Sequence, residues 1–444
     1  MRYVKALALA LTAGIILTAA GCGGNNSSEQ KSTANTESQS SEAASVEENT
    51  SSSDVTLTVA IWDRNQEPGL KSIMDDFTKE TGIKTDIQIT PWKDYWTMLE
   101  SATTGGNMPD VFWMHSQQVG TYAQYDDILL DLTDKVKNSD KVDLSKFQQD
   151  IVKLYESSDG RQVGFPKDVD TAAVWYNKNM FDEAGIPYPT ADWTWDDFRE
   201  IAKKLTKADN SQYGTAMKPG SDQESWYSTI YSYGGYVISD DKKKSGFDDP
   251  KTIEACKLIE DIIKDGSMPP YQTLADNETV SLMESGTVAM TFQGSWMVAE
   301  LAANDYLKEH IAIAPLPKGE KGAVSMCNGL AWSASAGGAH TEEAWKLIEY
   351  LGSETAQKKQ AQLGVTMSAY DGTSDAWVNS LEGFDLTPYL DMRADAVLYP
   401  YSKNTQAWYQ MILEKMVDAW DGSKPMEDVC KDIAADMDHK LSEE

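Results

Sequence analysis

Cysteine is scarce in this sequence. Four in 444 residues exclude a disulfide-dense scaffold. The four histidines, His115, His310, His340 and His439, lie far apart, so no His-based metal site is written into the spacing. Positive charge is in deficit: 39 Lys and Arg stand against 70 Asp and Glu, a formal charge of −31. Phosphate recognition runs on clustered cations, so a nucleic-acid partner is excluded, and so is adsorption to an anionic lipid surface. The chemistry-bearing signatures are missing too. There is no G-x-x-x-x-G-K-[ST] phosphate loop, no G-x-G-x-x-G after a strand, no H-E-x-x-H, no paired C-x-x-C and no G-x-S-x-G elbow. These gaps predict neither enzyme nor cofactor nor metal. What is there is a folding composition, 41% hydrophobic and 25% charged, long enough for two to three domains.

The one long apolar run is at the start. Arg2 and Lys5 precede the stretch from Ala6 to Ala20, which falls short of the about 20 residues a membrane span needs. Thr18-Ala19-Ala20-Gly21-Cys22 then resembles the lipobox of bacterial lipoproteins, with Thr where Leu is commonest. That resemblance implies a signal peptide (1–22) cut before Cys22 and a diacylglycerol on the thiol. The alternative is a cleaved secretory signal with an incidental cysteine. Residues 23–54 have almost no large apolar side chains and cannot offset their ordering entropy by burial, so a disordered tether is expected. Together these place the protein at the outer face of the cytoplasmic membrane, lipid-anchored, on a Gram-positive cell surface. With Cys22 lipidated, Cys256, Cys327 and Cys430 leave at least one free thiol, and a Cys256–Cys430 bridge stays open.

The rest of the chain alternates strands and helices. Val55, Leu57, Val59 and Ile61 have period two. A helical face follows over Pro68 to Glu80 (Leu70, Ile73, Met74, Phe77), with Gly82 as its stop. Ile83, Ile87 and Ile89 mark a second strand, which makes a βαβ unit and a parallel sheet. Val111 to Met114 is a third apolar run. Thr194 with Asp197 caps a helix lined by Phe198, Ile201, Ala202 and Leu205. Asp249-Pro250 opens another helix, and Thr341-Glu342-Glu343 opens one more. The fold class is α/β with more than one sheet. Residues 372–410 show no clear pattern.

Two features bear on function. Asp168 and Asp170 lie two apart. If extended, their side chains share a side, roughly 6–7 Å from one another. Such a pair suits a glycosidase acid and base, or acceptors for ligand hydroxyls, or a solvated turn. The second feature is 14 tryptophans. Several fall at strand ends or just after them, Trp62 after the first strand and Trp113 in the third, and several stand beside polar partners: Trp62-Asp63-Arg64, Trp113-Met114-His115-Ser116-Gln117, Trp226 after Asp222 and Glu224, and Gln293-Gly294-Ser295-Trp296. Ligands of open α/β sheets bind at such ends. A pyranose ring offers an apolar face to an indole and a rim of hydroxyls to polar groups.

Ordered blocks over residues 55–436 resemble the family 1 extracellular solute-binding proteins of ABC importers, the maltose-binding-like, sugar-type group. They are Trp62-Asp63, Met108-Pro109-Asp110-Val111, Val163-Gly164-Phe165-Pro166, Trp175-Tyr176-Asn177-Lys178-Asn179-Met180-Phe181-Asp182-Glu183-Ala184-Gly185-Ile186, Thr194-Trp195-Asp196-Asp197-Phe198, Glu284-Ser285-Gly286-Thr287-Val288-Ala289-Met290, Gly294-Ser295-Trp296, Ala314-Pro315-Leu316-Pro317 and Gly329-Leu330-Ala331-Trp332. Met367-Ser368 stands where the family commonly has Pro. The resemblance implies a two-lobe periplasmic-binding-protein-like (type II) fold, with hinge crossings near 165–167, 292–294 and 332–335 and an interlobe cleft. The first lobe would be 55–165 plus 295–332, and the second 166–294 plus 333–436. It further implies ligand contacts at Trp62, Asp63, Arg64, His115, Gln117, Asp168, Asp170, Trp226, Trp296, Trp332, Tyr370 and Arg393, the last in competition with a surface ion pair.

The function so implied is capture of a carbohydrate, an oligosaccharide in view of the tryptophans, by hinge closure and delivery to the permease subunits of the importer. A monomer is expected. Against this stand a secreted glycoside hydrolase using Asp168 and Asp170, a binding protein for a non-sugar solute, and a surface adhesin.

Overall fold

The computed structural model describes residues 54–444. The signal peptide with Cys22, and the tether up to residue 53, lie outside the described residues. Eleven strands form among them: β1 (Thr56–Ile61), β2 (Lys84–Ile89), β3 (Val111–Met114), β4 (Phe165–Pro166), β5 (Ala172–Asn177), β6 (Tyr213–Ala216), β7 (Val288–Gly294), β8 (Ile311–Ala314), β9 (Met326–Cys327), β10 (Ala331–Ala334) and β11 (Val397–Leu398). In β1 the alternation works as expected, with Leu57, Val59 and Ile61 fully buried. Helix α1 (Glu67–Thr81) buries Leu70, Ile73, Met74 and Phe77 and stops at Gly82, which takes the left-handed conformation (φ 76°) that glycine adopts without penalty. β2 returns parallel to β1, completing the βαβ unit. Helix α2 (Trp92–Gly105) leads to β3, also parallel to β1, and helix α3 (Ser116–Ala123) starts at its end.

Two main sheets result. One has the order β2-β1-β3-β10-β4 and the other β6-β7-β5-β8, while β9 and β11 pair by themselves. Each main sheet has its own apolar core. Ile61, Phe77, Trp113, Trp332 and Ile348 belong to the first, and Phe198, Trp226, Phe292, Ile412 and Ile433 to the second. This is the two-lobed α/β architecture expected.

The lobe boundaries differ from expectation. β8 hydrogen-bonds to β5, Val174 opposite Ala314, so residues 311–314 belong to the second sheet. The helix Thr341–Gly352 instead buries Leu347, Ile348 and Leu351 in the first core. The chain therefore stays with the second lobe through 292–294, where Gly294 still pairs with Ala172. It passes between β9 and β10, through Asn328, and returns to the second core between Tyr389 and Met392. Only the passage from β4 to β5 falls at an expected crossing. The strand Ile-Ala-Ile-Ala carries no mark of which distant strand it will pair with, so its lobe is set by long-range partners.

Local signals elsewhere hold. Thr194 and Asp197 form a reciprocal capping box on the helix Trp195–Leu205, and Asp249 caps Pro250–Lys264. Residues 372–410 resolve into short helices Ser374–Val378 and Thr387–Asp391, β11, and the start of the helix Thr405–Trp420. Cys256, Cys327 and Cys430 are free thiols. Cys256 and Cys430 are both buried in the second core as free thiols, so the bridge left open by the sequence is not formed. Among the described residues no helix is long and apolar enough to cross a membrane, and no group of three or more His, Cys, Asp or Glu is placed to hold a metal.

Candidate functional site

The carboxyl ends of β1 and β3 lie beside the amino end of β10, because β10 runs antiparallel to β3 with Ala331 opposite Met114. In the other sheet the carboxyl ends of β6 and β7 lie beside the amino end of β5 in the same way. The two crossings that carry Asp168, Asp170 and Asn328 thus join the two functional edges. Asp170 pairs with Asn328 backbone to backbone (Asp170 N to Asn328 O, 2.8 Å).

Around that pair the polar groups converge. Asp170 Oδ1 accepts from Gln223 Nε2 (2.9 Å) and from the Asn328 amide (3.1 Å). Asn328 Nδ2 faces Gln223 Oε1 (3.2 Å) and His115 Nε2 (3.0 Å), while His115 Nδ1 accepts from the Gln117 amide (3.2 Å). A neutral imidazole has a single lone-pair nitrogen, so Asn328 and the Gln117 amide compete for it. Burial pushes His115 down to about 4, keeping it neutral. Burial, with the neighbouring Asp168 carboxylate second, pushes the Asp170 carboxyl well above its usual range. Asn328 Oδ1 is buried and accepts no hydrogen bond. A buried amide oxygen left unpaired costs about 1–3 kcal/mol, so it is an acceptor waiting for a donor.

A second set of contacts ties the lobes. Gln117, at the start of α3 in the first lobe, donates to the Tyr399 hydroxyl (2.5 Å) in the second. Tyr399 in turn donates to Asp222, whose other oxygen accepts from Tyr409 (3.1 Å). Burial raises Asp222 to about 6 even against those two hydrogen bonds. At the other edge Asn65, in the turn after β1, donates to Glu300.

Aromatic groups flank the polar hub. Trp62 sits half-buried among Trp113 (4.8 Å between ring centres), Tyr95 (4.9 Å), Trp92 (5.0 Å) and Trp96 (5.7 Å). Trp296 follows β7, and its six-membered ring lies so close over Gly294 that any Cβ there would collide with it. The indole is half-buried, and among the described residues it stacks on no other ring and forms no hydrogen bond. Asp63 folds back on its own turn, accepting from the Asn65 amide and Gln66 Nε2 (both 2.8 Å), and Arg64 is exposed.

Other expected contacts lie elsewhere. Trp226 is fully buried in the second core and donates to the Pro219 carbonyl (3.0 Å). Trp332 is fully buried in β10 opposite Trp113 and Phe165. Both are packing residues, because each strand or helix here turns its large apolar side chain inward. Asp168 is buried with both oxygens engaged, by Lys167 Nζ (2.5 Å) and the Leu330 amide (2.6 Å). Tyr370 packs on Phe147 (5.3 Å) and donates to Glu354 (3.3 Å), away from the hub. Arg393 donates to Ser374 (2.7 Å), and burial lowers its pKa. The surface ion pair considered for Arg393 is not what the structure shows. Sequence reasoning missed Asn328, Gln223, Tyr399 and Lys167, and named Asp222 only as a polar neighbour of Trp226. Nothing local marks Asn328 or Tyr399, but Gln223 stood three residues from that tryptophan.

Two α/β lobes with the chain crossing between them, and acceptors, donors and indoles brought from both to one junction, are the architecture of a two-lobed binding protein. The chain belongs to the family described as bacterial extracellular solute-binding protein, which matches residues 63–358. It is similar to the galactooligosaccharide-binding protein of Bacillus subtilis, 25% identical over 78% of this chain and 76% of that one. It is also similar to the maltodextrin-binding protein of the same organism, 24% identical over 85% and 86%. Among solved structures, the fold matches an ABC substrate-binding protein of Listeria monocytogenes in complex with cycloalternan, with TM-score 0.80, 21% identity and coverage of 88% and 100%. It likewise matches a maltose-bound protein of T. maritima, with TM-score 0.74, 20% identity and coverage of 87% and 99%. Family and neighbours are binding proteins, and those of the family are extracellular.

Proposed function

We propose that this protein is the carbohydrate receptor of an ABC importer, taking an oligosaccharide outside the cell and presenting it to the permease subunits. The observation that carries the reading is the buried, unpartnered Oδ1 of Asn328, a side chain whose Nδ2 meets His115 of one lobe and Gln223 of the other beside Asp170. A hydroxyl-rich ligand supplies the donor this acceptor lacks, and the free indole of Trp296 supplies an apolar plate for a pyranose face. Contacts to both lobes favour the closed arrangement over the open one, which is capture by population shift. The names of the relatives, which bind oligosaccharides, support the same ligand class.

The protein acts without catalysis in this reading. A glycosidase needs one carboxyl free to give a proton and another free to attack or activate water. Asp168 is locked in an ion pair with Lys167 and is not available. Anchoring through a lipid on Cys22 completes the proposal: the protein is a monomer held at the outer face of the cytoplasmic membrane of a Gram-positive cell.

Calorimetric titration against galacto-, malto-, arabino- and chito-oligosaccharides tests the function, with chromatography of each glycan afterwards. Binding with every glycan recovered intact is expected. Cleaved products would establish the hydrolase. Heat from a non-sugar solute alone would replace the ligand class. For the anchor, Cys22→Ser should move the protein from the detergent phase to the aqueous phase on Triton X-114 partition.

A further inference from the structure

One of the rings that flank the hub also presents a large exposed face. Trp92, the first residue of α2, is 42% exposed, one of four exposed large hydrophobic side chains among the described residues. Three rings meet it nearly at right angles: Trp62 (5.0 Å, 75°), Trp96 (5.4 Å, 88°) and His115 (5.4 Å, 74°). Edge-to-face neighbours on several sides hold an indole in one orientation, so the exposed part is a fixed plate rather than a mobile side chain. Through His115 the plate is continuous with the hub, since the far nitrogen of that same ring meets Asn328 at 3.0 Å. Lys93 and Asp94, the next two residues on the helix, are exposed polar groups beside it.

We infer that Trp92 is an additional sugar subsite on the rim of the first lobe, stacking a pyranose unit beyond those held at Asp170, Asn328 and Trp296. The ligand is therefore a linear or cyclic oligosaccharide long enough to run from the hub, past His115, to the rim. This rests on the carbohydrate reading above and adds chain length to it. An apolar plate rimmed by charge matches the apolar face and hydroxyl rim of a hexopyranose. Leaving such a surface in water is unfavourable, and a stacked ring covers it.

The test is a length series. Malto- and galacto-oligosaccharides of increasing length, from the disaccharide upward, are titrated by calorimetry into the wild type, Trp92→Ala and Trp92→Tyr. In the wild type, affinity should climb with length and then level off. Trp92→Ala should bind the shortest glycan as the wild type does and the long ones about tenfold more weakly, while Trp92→Tyr, which keeps a ring, should restore most of the loss. An equal loss at every length, or none at any length, overturns the rim subsite while leaving the carbohydrate function standing. Should the wild type bind no glycan of any length, the function itself fails and the subsite with it. A Trp92→Ala protein that does not fold transfers the comparison to Trp92→Tyr and Trp92→Leu. There, loss confined to the long glycans in Leu alone supports the inference, and identical curves overturn it.

Discussion

Trp226 and Trp296 have the same side chain and stood on the same expectation, yet their surroundings give them opposite duties. Trp226 is enclosed by Tyr227 (4.5 Å) and Trp420 (5.8 Å) and has its N–H satisfied. Removing it empties a large volume in the core. Trp226→Ala should therefore lower unfolding stability by about 3–5 kcal/mol in a denaturant titration. Trp296→Ala should leave that titration nearly unchanged and weaken glycan binding at least about tenfold. Lys167 belongs with Trp226 in this respect. It is fully buried, bonded to Asp168, Gln66 Oε1 (3.0 Å) and Thr366 Oγ1 (3.3 Å), and stands 4.7 Å over the Trp113 ring. Lys167→Met strands a buried carboxylate, and denaturant titration should show a loss of about 3–5 kcal/mol.

At the scale of the element, the end of β7 shows how a strand aims a side chain. Gly294 is the last residue of the strand and still pairs with Ala172, and the short turn Ser295–Met297 then swings the Trp296 ring back over it. The absence of a Cβ is what lets the ring lie there. Gly294→Ala should displace the indole, reducing glycan affinity comparably to Trp296→Ala. Tryptophan emission in the free protein should change as well, which a ring that was already loose would not show. The hub depends on elements in a similar way. Asp170 and Asn328 are brought opposite each other because β5 and β10 both begin where their partner strands end.

For the whole molecule, the lobes are joined by a polar chain from Gln117 through Tyr399 to Asp222 and Tyr409. Its pH behaviour follows from burial. Asp222 has its pKa raised from 3.8 to about 6, so the stability it contributes is complete below its usual pKa and lost as pH rises through about 6. His115 has the opposite sign. Lowered from 6.5 to about 4, its contribution is complete above its usual pKa and lost as pH falls through about 4. The two slopes oppose each other between about pH 4 and about 6. Asp222→Asn removes one of them, so in thermal melts across that window the variant's unfolding temperature should rise with pH more steeply than the wild type's. Parallel profiles would mean that Asp222 is not buried as described.

The sequence by itself determined the βαβ start, the capped helices, the α/β class and the family, because these rest on period, caps and ordered blocks that are local in the chain. It also placed Trp62 after the first strand and Trp113 within the third, where the structure has them. Tertiary structure alone decided which tryptophans are plates and which are core, since that depends on what packs against each ring. It alone put residues 311–314 and 341–352 in the lobes opposite to those expected, because a strand's partner lies far off in sequence. And it alone brought Asn328 to His115, 213 positions away, a meeting for which a linear reading of the chain has no signal.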